Sequence, residues 1–158
     1  YGYWKLKWST KYADQGFKVD ATSASQIYYG YDWEVTHPEI RKGAEATQGQ
    51  LVMYNGKIAL TAYSSWTDGS TRRFEDGHWG HVCTTETGKV SSIYPWLSAA
   101  PDPDGKHPTE STCSLAASGN HMVGLSANGA VRMAKNSGRD ARSILQHYFP
   151  GVAILKVY

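Results

Sequence analysis

The sequence lacks a strong charge, a long apolar run and an internal boundary. Its formal net charge is +2 at pH 7 and no basic run stands out, which argues against a nucleic-acid partner. No stretch approaches the roughly 20 apolar residues that a membrane-spanning helix needs. No linker-like segment and no internal repeat divides the 158 residues, a length typical of one compact domain. We therefore expect a single domain over residues 1–158 that binds no nucleic acid and does not span a membrane.

The usual signatures of hydrolytic enzymes are also missing. The G-x-S-x-G motif of a serine hydrolase is absent, and no pair of carboxylates demands a glycoside hydrolase. Glu34, which follows Trp33, is the most plausible single acid by its neighbourhood, although an exposed loop carboxylate is the simpler interpretation. Asp102 lies between two prolines and is predicted to be a turn residue. No signal peptide is present, and a removed one would leave no trace.

Tryptophan and tyrosine, by contrast, are abundant. The chain has 6 Trp and 11 Tyr against 3 Phe. Both side chains combine an apolar face with a polar edge, which suits stacking on sugar rings as well as packing on half-buried sheet faces. We expect most of them to pack in the fold and a minority to face a ligand.

Local patterns predict an α+β fold, with a core that is mainly a β-sheet or barrel-like and has a few short helices. Two β runs, residues 50–54 and 57–63, flank Asn55 and Gly56, the strongest short signal for a hairpin. Thr36, Pro38 and Glu39 predict a short helix over residues 36–45.

Further elements follow from the same kind of pattern. Residues 72–78 are predicted to form a strand or loop, and residues 84–118 a long irregular segment. An amphipathic helix ends at Gly138, a second helix covers residues 140–148, and a strand follows at residues 152–158.

One stretch carries a specific resemblance. Residues 121–130 read HMVGLSANGA; Met133, Ala134 and Gly138 follow, and residues 144–151 read ILQHYFPG. This order and spacing resembles the motif G-H-G-x-G-[ML]-S-x-x-G-A of the stage II sporulation protein D and amidase enhancer family (SpoIID/LytB), including its helix that ends I-L-x-x-Y-Y-P-G. Asn120 and Met122 stand where the family usually has glycine, so the turn is less permissive here.

Four further blocks agree with the family in order. Residues 19–30 resemble D-x-T-x-x-x-Q-x-Y-x-G, residues 44–52 resemble A-x-x-A-T-x-G-x-V-L, and residues 62–71 resemble Y-x-S-x-S-G-G-x-T. Residues 94–97 and 101–103 match its P-Y-L and D-P landmarks. The resemblance covers residues 17–156, and five ordered blocks are far more specific than one glycine-rich string.

The resemblance implies a secreted or cell-envelope domain of bacteria that binds and remodels peptidoglycan glycan strands, as a lytic transglycosylase does. In lytic members, however, the catalytic glutamate lies upstream of all these blocks, and nothing like that segment precedes Tyr1. We expect either an upstream segment or companion chain that supplies it, or a non-catalytic glycan-binding or amidase-enhancing module. A structural fragment that pairs with other chains through its edges is a third possibility. The catalytic residue is therefore unknown, and so is whether the chain is an enzyme.

The resemblance also implies a substrate site. Its two central blocks converge on the groove that holds the glycan strand, which makes candidate binding residues of Tyr63, Ser64, Ser65, Thr67, His121 and Ser126. The hydroxyl residues have an alternative interpretation, because short hydroxyl side chains often bond to the backbone of turns.

The cysteine pair has two interpretations. In a secreted protein, Cys83 and Cys113 are expected to form a disulfide, which would stabilise the irregular segment by about 3 kcal/mol on the loop-entropy model. Alternatively, His78, His81, Cys83 and Cys113 offer two imidazoles and two thiolates, a set that tetrahedral zinc accepts. Otherwise no cofactor is expected.

Overall fold

A computed structural model describes residues 1–21, 29–78, 83 and 88–157, with the backbone alone at His78. The helices are α1 (Gly2–Trp8), α2 (Tyr31–Thr36), α3 (Pro38–Ala46), α4 (Phe74–His78), α5 (Thr112–Ala117), α6 (Ala127–Ser137) and α7 (Ala141–Tyr148). The strands are β1 (Gln50–Tyr54), β2 (Lys57–Ile58), β3 (Tyr63–Ser64), β4 (Leu125–Ser126) and β5 (Ala153–Lys156). Short 3-10 turns cover Ala13–Gln15 and Pro95–Leu97.

The mixed α+β class is confirmed, but the expected β-dominated core is wrong. In the described part of the chain the strands form one sheet of three, in the order β2-β1-β5, and one pair, β3-β4. Neither closes into a barrel. More residues enter helices than strands because short local helix signals occur where sheet was expected, as at α4. None of the described helices is long and apolar enough to cross a membrane.

The described chain groups into two compact units. The first contains Tyr1–Met53, Ile58–Leu60 and Ile154–Tyr158, and the second contains Tyr54–Lys57 and Thr61–Ala153. The single domain expected over residues 1–158 stays a prediction.

The first unit contains α1, α2 and α3, and none of these helices has a buried residue. The helix predicted from Thr36 is confirmed as α3, with Pro38 at its start, but its cap is His37. Thr36 closes α2 instead, because its hydroxyl donates to the carbonyl oxygens of Asp32 at 3.1 Å and Trp33 at 3.0 Å.

The hairpin between β1 and β2 has the turn that Asn-Gly predicts. Asn55 and Gly56 both adopt left-handed φ angles, +46° and +73°, as the tight two-residue turn requires. The second run, expected to continue to residue 63, ends at Ile58, and Tyr63 belongs to a different sheet. The terminal strand is confirmed as β5.

The second unit contains a buried core. Its fully or almost fully buried apolar side chains are Leu97, Leu115, Met122, Val123, Met133, Tyr148 and Phe149. Burial of each aliphatic side chain stabilises the fold by about 1.5–3 kcal/mol. The segment predicted to be irregular, residues 84–118, contributes Leu97 from a 3-10 turn and Leu115 from α5 to this core.

The end of α6 and both ends of α7 lie where the sequence predicts them, but the start of α6 at Ala127 was not predicted. Ser126 and Asp140 cap their first turns by accepting hydrogen bonds from the backbone amides of Gly129 and Ser143. Gly138 ends α6 with a left-handed φ of +61°, a conformation that glycine adopts at low cost. These two caps fix the start of α6, which lies inside the motif at residues 121–130, and the start of α7, which follows it.

Candidate functional site

The two blocks predicted to form the site lie side by side in the second unit. Strands β3 and β4 pair in parallel, with Tyr63 opposite Leu125 and Ser64 opposite Ser126. The contact continues along the chain, because the Arg72 amide donates to the Met122 carbonyl oxygen at 2.7 Å. Residues 63–72 and 121–126 therefore lie side by side, although they are about 60 residues apart in sequence, and form one segment, named the surface segment for its exposed residues such as Tyr63 and Ser65.

The six predicted binding residues differ in accessibility. Tyr63 and Ser65 are exposed, and 43% of the Tyr63 surface is accessible. His121 is half-buried, and its Nδ1 accepts a hydrogen bond from the Val123 amide at 3.0 Å. Tyr63, Ser65 and His121 are therefore the members of the set that a large ligand reaches directly.

The other three are buried and have structural partners. The Ser64 hydroxyl lies 3.5 Å from the Trp66 carbonyl oxygen. Thr67 donates to the Asp102 carboxylate at 2.8 Å, and Ser126 accepts from the Gly129 amide at 3.1 Å. The binding roles of all six residues stay predictions, and for Ser64, Thr67 and Ser126 the turn and capping alternative describes the contacts they make.

Two asparagines fix the exposed turn at Ser65. The Asn120 side-chain oxygen accepts from the amides of Ser65 at 3.1 Å and Trp66 at 3.0 Å. From the other side, both the amide and the side chain of Asn128 donate to the Ser65 carbonyl oxygen, at 3.1 and 2.9 Å. The Ser65 backbone is thus held at both its N–H and its C=O. The sequence marked Asn120 only as a departure from glycine and missed this role.

The loop before β4 contains backbone conformations that favour glycine. Gly124 has a φ of +71°, and a side chain there would meet the Ala62 carbonyl oxygen at 2.2 Å. Met122 adopts a left-handed φ of +56°, and its side chain is fully buried. Burial of Met122 offsets the cost of about 1–2 kcal/mol for the left-handed conformation. The turn therefore forms although Met122 stands where the family usually has glycine. The buried Met122 side chain anchors the turn in the core.

Beneath the surface segment lies a buried polar network that the sequence did not indicate. Asp102 is fully buried and accepts from Thr67 at 2.8 Å, from the Tyr148 hydroxyl at 2.6 Å and from the Gly105 amide at 3.0 Å. Burial and the hydrogen bond to Asp102 raise the pKa of Tyr148 well above its ordinary value. Asp102 does form the predicted turn, but it is also the centre of this network.

An ion pair lies next to the network. Arg72 contacts Asp68 through both terminal nitrogens, and the Thr112 hydroxyl donates to the same carboxylate at 2.7 Å. Burial works to raise the pKa of Asp68, but the hydrogen bonds from Arg72 and Thr112 outweigh it, and the pKa lies below its ordinary value. Asp68 therefore remains a carboxylate at neutral pH.

Glu75 in α4 is held in its ionised form as well. Its Oε1 accepts from the Ser92 amide at 2.7 Å and from the Ser92 hydroxyl at 2.8 Å. Desolvation opposes ionisation, but these and other backbone and hydroxyl donors prevail and lower the pKa of Glu75 to about 2. A carboxylate with so low a pKa is a poor general acid at neutral pH.

Trp66 lies beside the fixed turn and already has ring partners. The Arg132 guanidinium lies over its ring, 4.9 Å from the centroid, and the His107 ring meets it edge-on at 4.8 Å. Arg132 is fixed in turn by the carbonyl oxygen of Asp104 at 2.9 Å. Trp66 is therefore a rigid neighbour of Ser65 whose aromatic surface is partly occupied.

The expected disulfide is not formed in the structure. Cys83 and Cys113 are both exposed free thiols, and the Cys113 Sγ lies 3.6 Å from the Cys83 carbonyl oxygen. The hydrogen bond with Cys83 raises the pKa of the Cys113 thiol above its ordinary value. The two chain segments are neighbours, as the disulfide required, but the bond itself is unsupported.

The alternative zinc set is only partly within the described chain. His81 and the side chain of His78 lie outside it. Among the described residues, no group of three or more His, Cys, Asp or Glu side chains is arranged to hold a metal ion. The structure thus offers no zinc site in the residues that it describes.

The block at residues 19–30 and the candidate acid Glu34 belong to the first unit. Residues 22–28 of the block at 19–30 are outside the described chain. Glu34 belongs to helix α2, so the expectation of a loop carboxylate is wrong, because residues 31–36 form a helical turn and a half. It lines a small apolar recess with Trp33 and Ile40.

Comparison with known proteins gives one partial relationship. No family model matches the chain. The amidase enhancer of Bacillus subtilis (strain 168) is 39% identical to it over 56 residues. That match spans 35% of this chain and 8% of the relative's length, so the similarity to an amidase enhancer is partial.

Proposed function

We propose that the surface formed by β3, the turn at Ser65 and the loop at His121 binds glycan strands of the bacterial cell wall, outside the cytoplasm. The observation that carries the proposal is the parallel pairing of Tyr63 with Leu125, which joins the two predicted site blocks. The partial similarity to an amidase enhancer supports a role at the cell wall.

The chemistry of the surface suits a sugar. Tyr63 offers an exposed ring on the strand that leads to Ser65 and pairs with the segment after His121, and aromatic rings stack on the apolar faces of sugars while polar groups bond their hydroxyls. The turn that carries Ser65 is fixed by Asn120 and Asn128 before any ligand arrives. A preformed site loses less conformational entropy on binding.

Binding is supported better than catalysis. Glycoside cleavage needs an acid whose pKa is raised, and among the described residues of the second unit the carboxylates with shifted pKa values, Asp68, Glu75 and Asp140, are all shifted down. We therefore propose a glycan-binding module that acts with a wall-degrading enzyme or with a catalytic segment supplied elsewhere.

The test is retention on purified sacculi. The 158-residue chain should co-sediment with sacculi, and Tyr63→Ala should weaken binding about tenfold, since a stacked ring contributes on the order of 1 kcal/mol or more. Tyr31→Ala is the control, because Tyr31 is a tyrosine of the first unit that is more exposed than Tyr63, at 66% against 43%, and the variant should bind as wild type does.

Two outcomes would contradict the proposal. If Tyr63→Ala and Tyr31→Ala are both retained on sacculi as well as wild type is, the binding site does not lie on this surface. Release of soluble anhydro-muropeptides by the chain alone would show it to be an enzyme and not only a binding module.

A further inference from the structure

A polar cavity of about 660 Å³ lies in the second unit, beyond the surface just described. Asp68, Ser70, Arg72 and Lys89 contribute its polar lining, and residues 99–101 contribute small apolar side chains. Its volume lies in the range of small-molecule sites. The proposed stacking of a sugar on Tyr63 does not involve this cavity, and neither do the polar groups proposed to bind the glycan with it.

The acceptor atoms of Asp68 and Thr71 are already engaged. The Asp68 carboxylate accepts from both terminal nitrogens of Arg72 and from Thr112. The Thr71 hydroxyl, which also lines the cavity, accepts from the Ala100 amide at 2.8 Å and donates to its carbonyl oxygen at 3.4 Å. Little acceptor capacity therefore remains on these side chains for a ligand that donates hydrogen bonds.

Donors, in contrast, are in surplus. A guanidinium has five N–H groups, and the acceptors found for Arg72 are the two Asp68 oxygens and the Ser70 carbonyl oxygen. Within the described residues, Nε of Arg72 is buried and has no hydrogen-bond partner. No acceptor for the Lys89 ammonium is found in that part of the chain either.

The charges in the cavity lead to the same conclusion. Asp68 neutralises Arg72, at a closest distance of 2.5 Å, so Lys89 leaves the described lining with one net positive charge. A site with surplus N–H donors and a positive charge fits an anionic oxygen ligand, and charge-assisted hydrogen bonds to such a group are the strongest available.

We propose that this cavity binds a carboxylate group of the cell-wall polymer. The inference rests on the proposed function and adds a chemical class of recognised group to it. Both sites are built on the same paired segments, because residues 63–72 carry both Tyr63 and Arg72, and the Arg72 amide bonds to Met122 next to His121. The carboxylate belongs either to the lactyl group of muramic acid or to the free end of a wall peptide.

Two sugars that differ in one substituent test the inference. The full chain is titrated by calorimetry with N-acetylmuramic acid and with N-acetylglucosamine, which lacks the lactyl carboxylate, and in parallel with N-acetyl-D-alanyl-D-alanine. At least one carboxylate probe should bind about tenfold or more tighter than N-acetylglucosamine, and added salt should weaken it. The probe that binds identifies the source of the carboxylate; equal, salt-independent affinities would overturn the inference.

A lysine variant assigns the binding to the cavity. Lys89→Gln should weaken the carboxylate probe about fivefold, because an ammonium partner is replaced by a neutral amide. Lys57→Gln is the control, since Lys57 is an exposed lysine of the hairpin and should bind like wild type. Unchanged affinity in Lys89→Gln would overturn the inference.

Sacculi with amidated carboxyl groups separate this inference from the proposed function. If native and amidated sacculi retain the chain equally, the carboxylate cavity is wrong while glycan binding stands. If amidation alone weakens retention, both are supported. If native sacculi do not retain the chain, the proposed function fails, and the titration with soluble probes still decides what the cavity binds.

Discussion

The two compact units of this protein use their polar and apolar residues in opposite ways. In the first unit, α1, α2 and α3 have no buried residues, and large side chains such as Leu6, Trp8 and Tyr31 are exposed. In the second, Tyr148 and Phe149 are buried at the end of α7, beside the fully buried carboxylate of Asp102. The comparison shows that the buried polar network belongs to the unit that carries the candidate site.

The second unit also explains why motif residues are needed for packing as well as for a site. Gly129 lies where an added methyl group would meet the Tyr148 hydroxyl at 2.2 Å and Asp102 Oδ1 at 2.5 Å. Ser126 caps α6 from a fully buried position. Several residues of the recognised motif thus support the surface from below, and only a few of them contact solvent.

The largest expected effect tests the difference in packing between the two units. Gly129→Ala should lower the free energy of unfolding by about 2–3 kcal/mol, because the methyl group overpacks the Asp102 network. Gly43→Ala, in α3, should raise it by about 0.5–1 kcal/mol, because Gly43 has nothing within 4 Å and alanine favours helix. Urea denaturation of both variants gives the two values. Effects of the same sign would contradict the difference in packing.

A smaller effect isolates the hydrogen bond to Asp102. Tyr148→Phe should lower the free energy of unfolding at pH 7 by about 1–2 kcal/mol, since it removes one donor from a buried carboxylate. The raised pKa of Tyr148 means that its stabilising contribution is complete below the unfolded pKa of about 10 and is lost as the pH rises above it. The comparison is the change in unfolding free energy of wild type and variant between pH 8 and pH 11. If the unfolding free energies of wild type and Tyr148→Phe change in parallel with pH, the ionisation of Tyr148 is not linked to stability.

The smallest effect concerns Glu75 at the surface of the second unit. Its pKa of about 2 lies below the ordinary value of 4.5, so its contribution is present above pH 4.5 and is lost as the pH falls toward 2. Glu75→Gln should therefore show a shallower loss of stability with acid than wild type does. Thermal melts at a series of pH values measure both slopes, and identical slopes would show that Glu75 is not held as the structure indicates.

Elements with nearby determinants were predicted correctly. The Asn55-Gly56 turn, the stop at Gly138 and the start of α7 at Asp140 each depend on contacts within a few residues. The α+β class followed from these elements. The helix at α4 was missed because its five residues, FEDGH, have no apolar period long enough to identify.

The candidate site was predicted only in part. The sequence named Tyr63, Ser65 and His121 through a resemblance, and the structure brings their segments together. It gave no sign of Asp102 as a network centre or of Asn120 as a backbone clamp. The side-chain partners of Asp102, Thr67 and Tyr148, lie 35 and 46 residues away, and Ser65 lies 55 residues from Asn120.

The sequence by itself determined the Asn55-Gly56 turn, the stop at Gly138, the start of α7 at Asp140 and the order of the motif blocks, because each is encoded by neighbouring residues and their backbone preferences. The tertiary structure alone decided which hydroxyl groups are buried, which asparagine fixes the turn at Ser65, and that the donors of Arg72 and Lys89 line one cavity. Those outcomes depend on the pairing of distant segments. Bringing these segments together costs chain entropy, which the packing of the whole core offsets. No local sequence pattern encodes that packing.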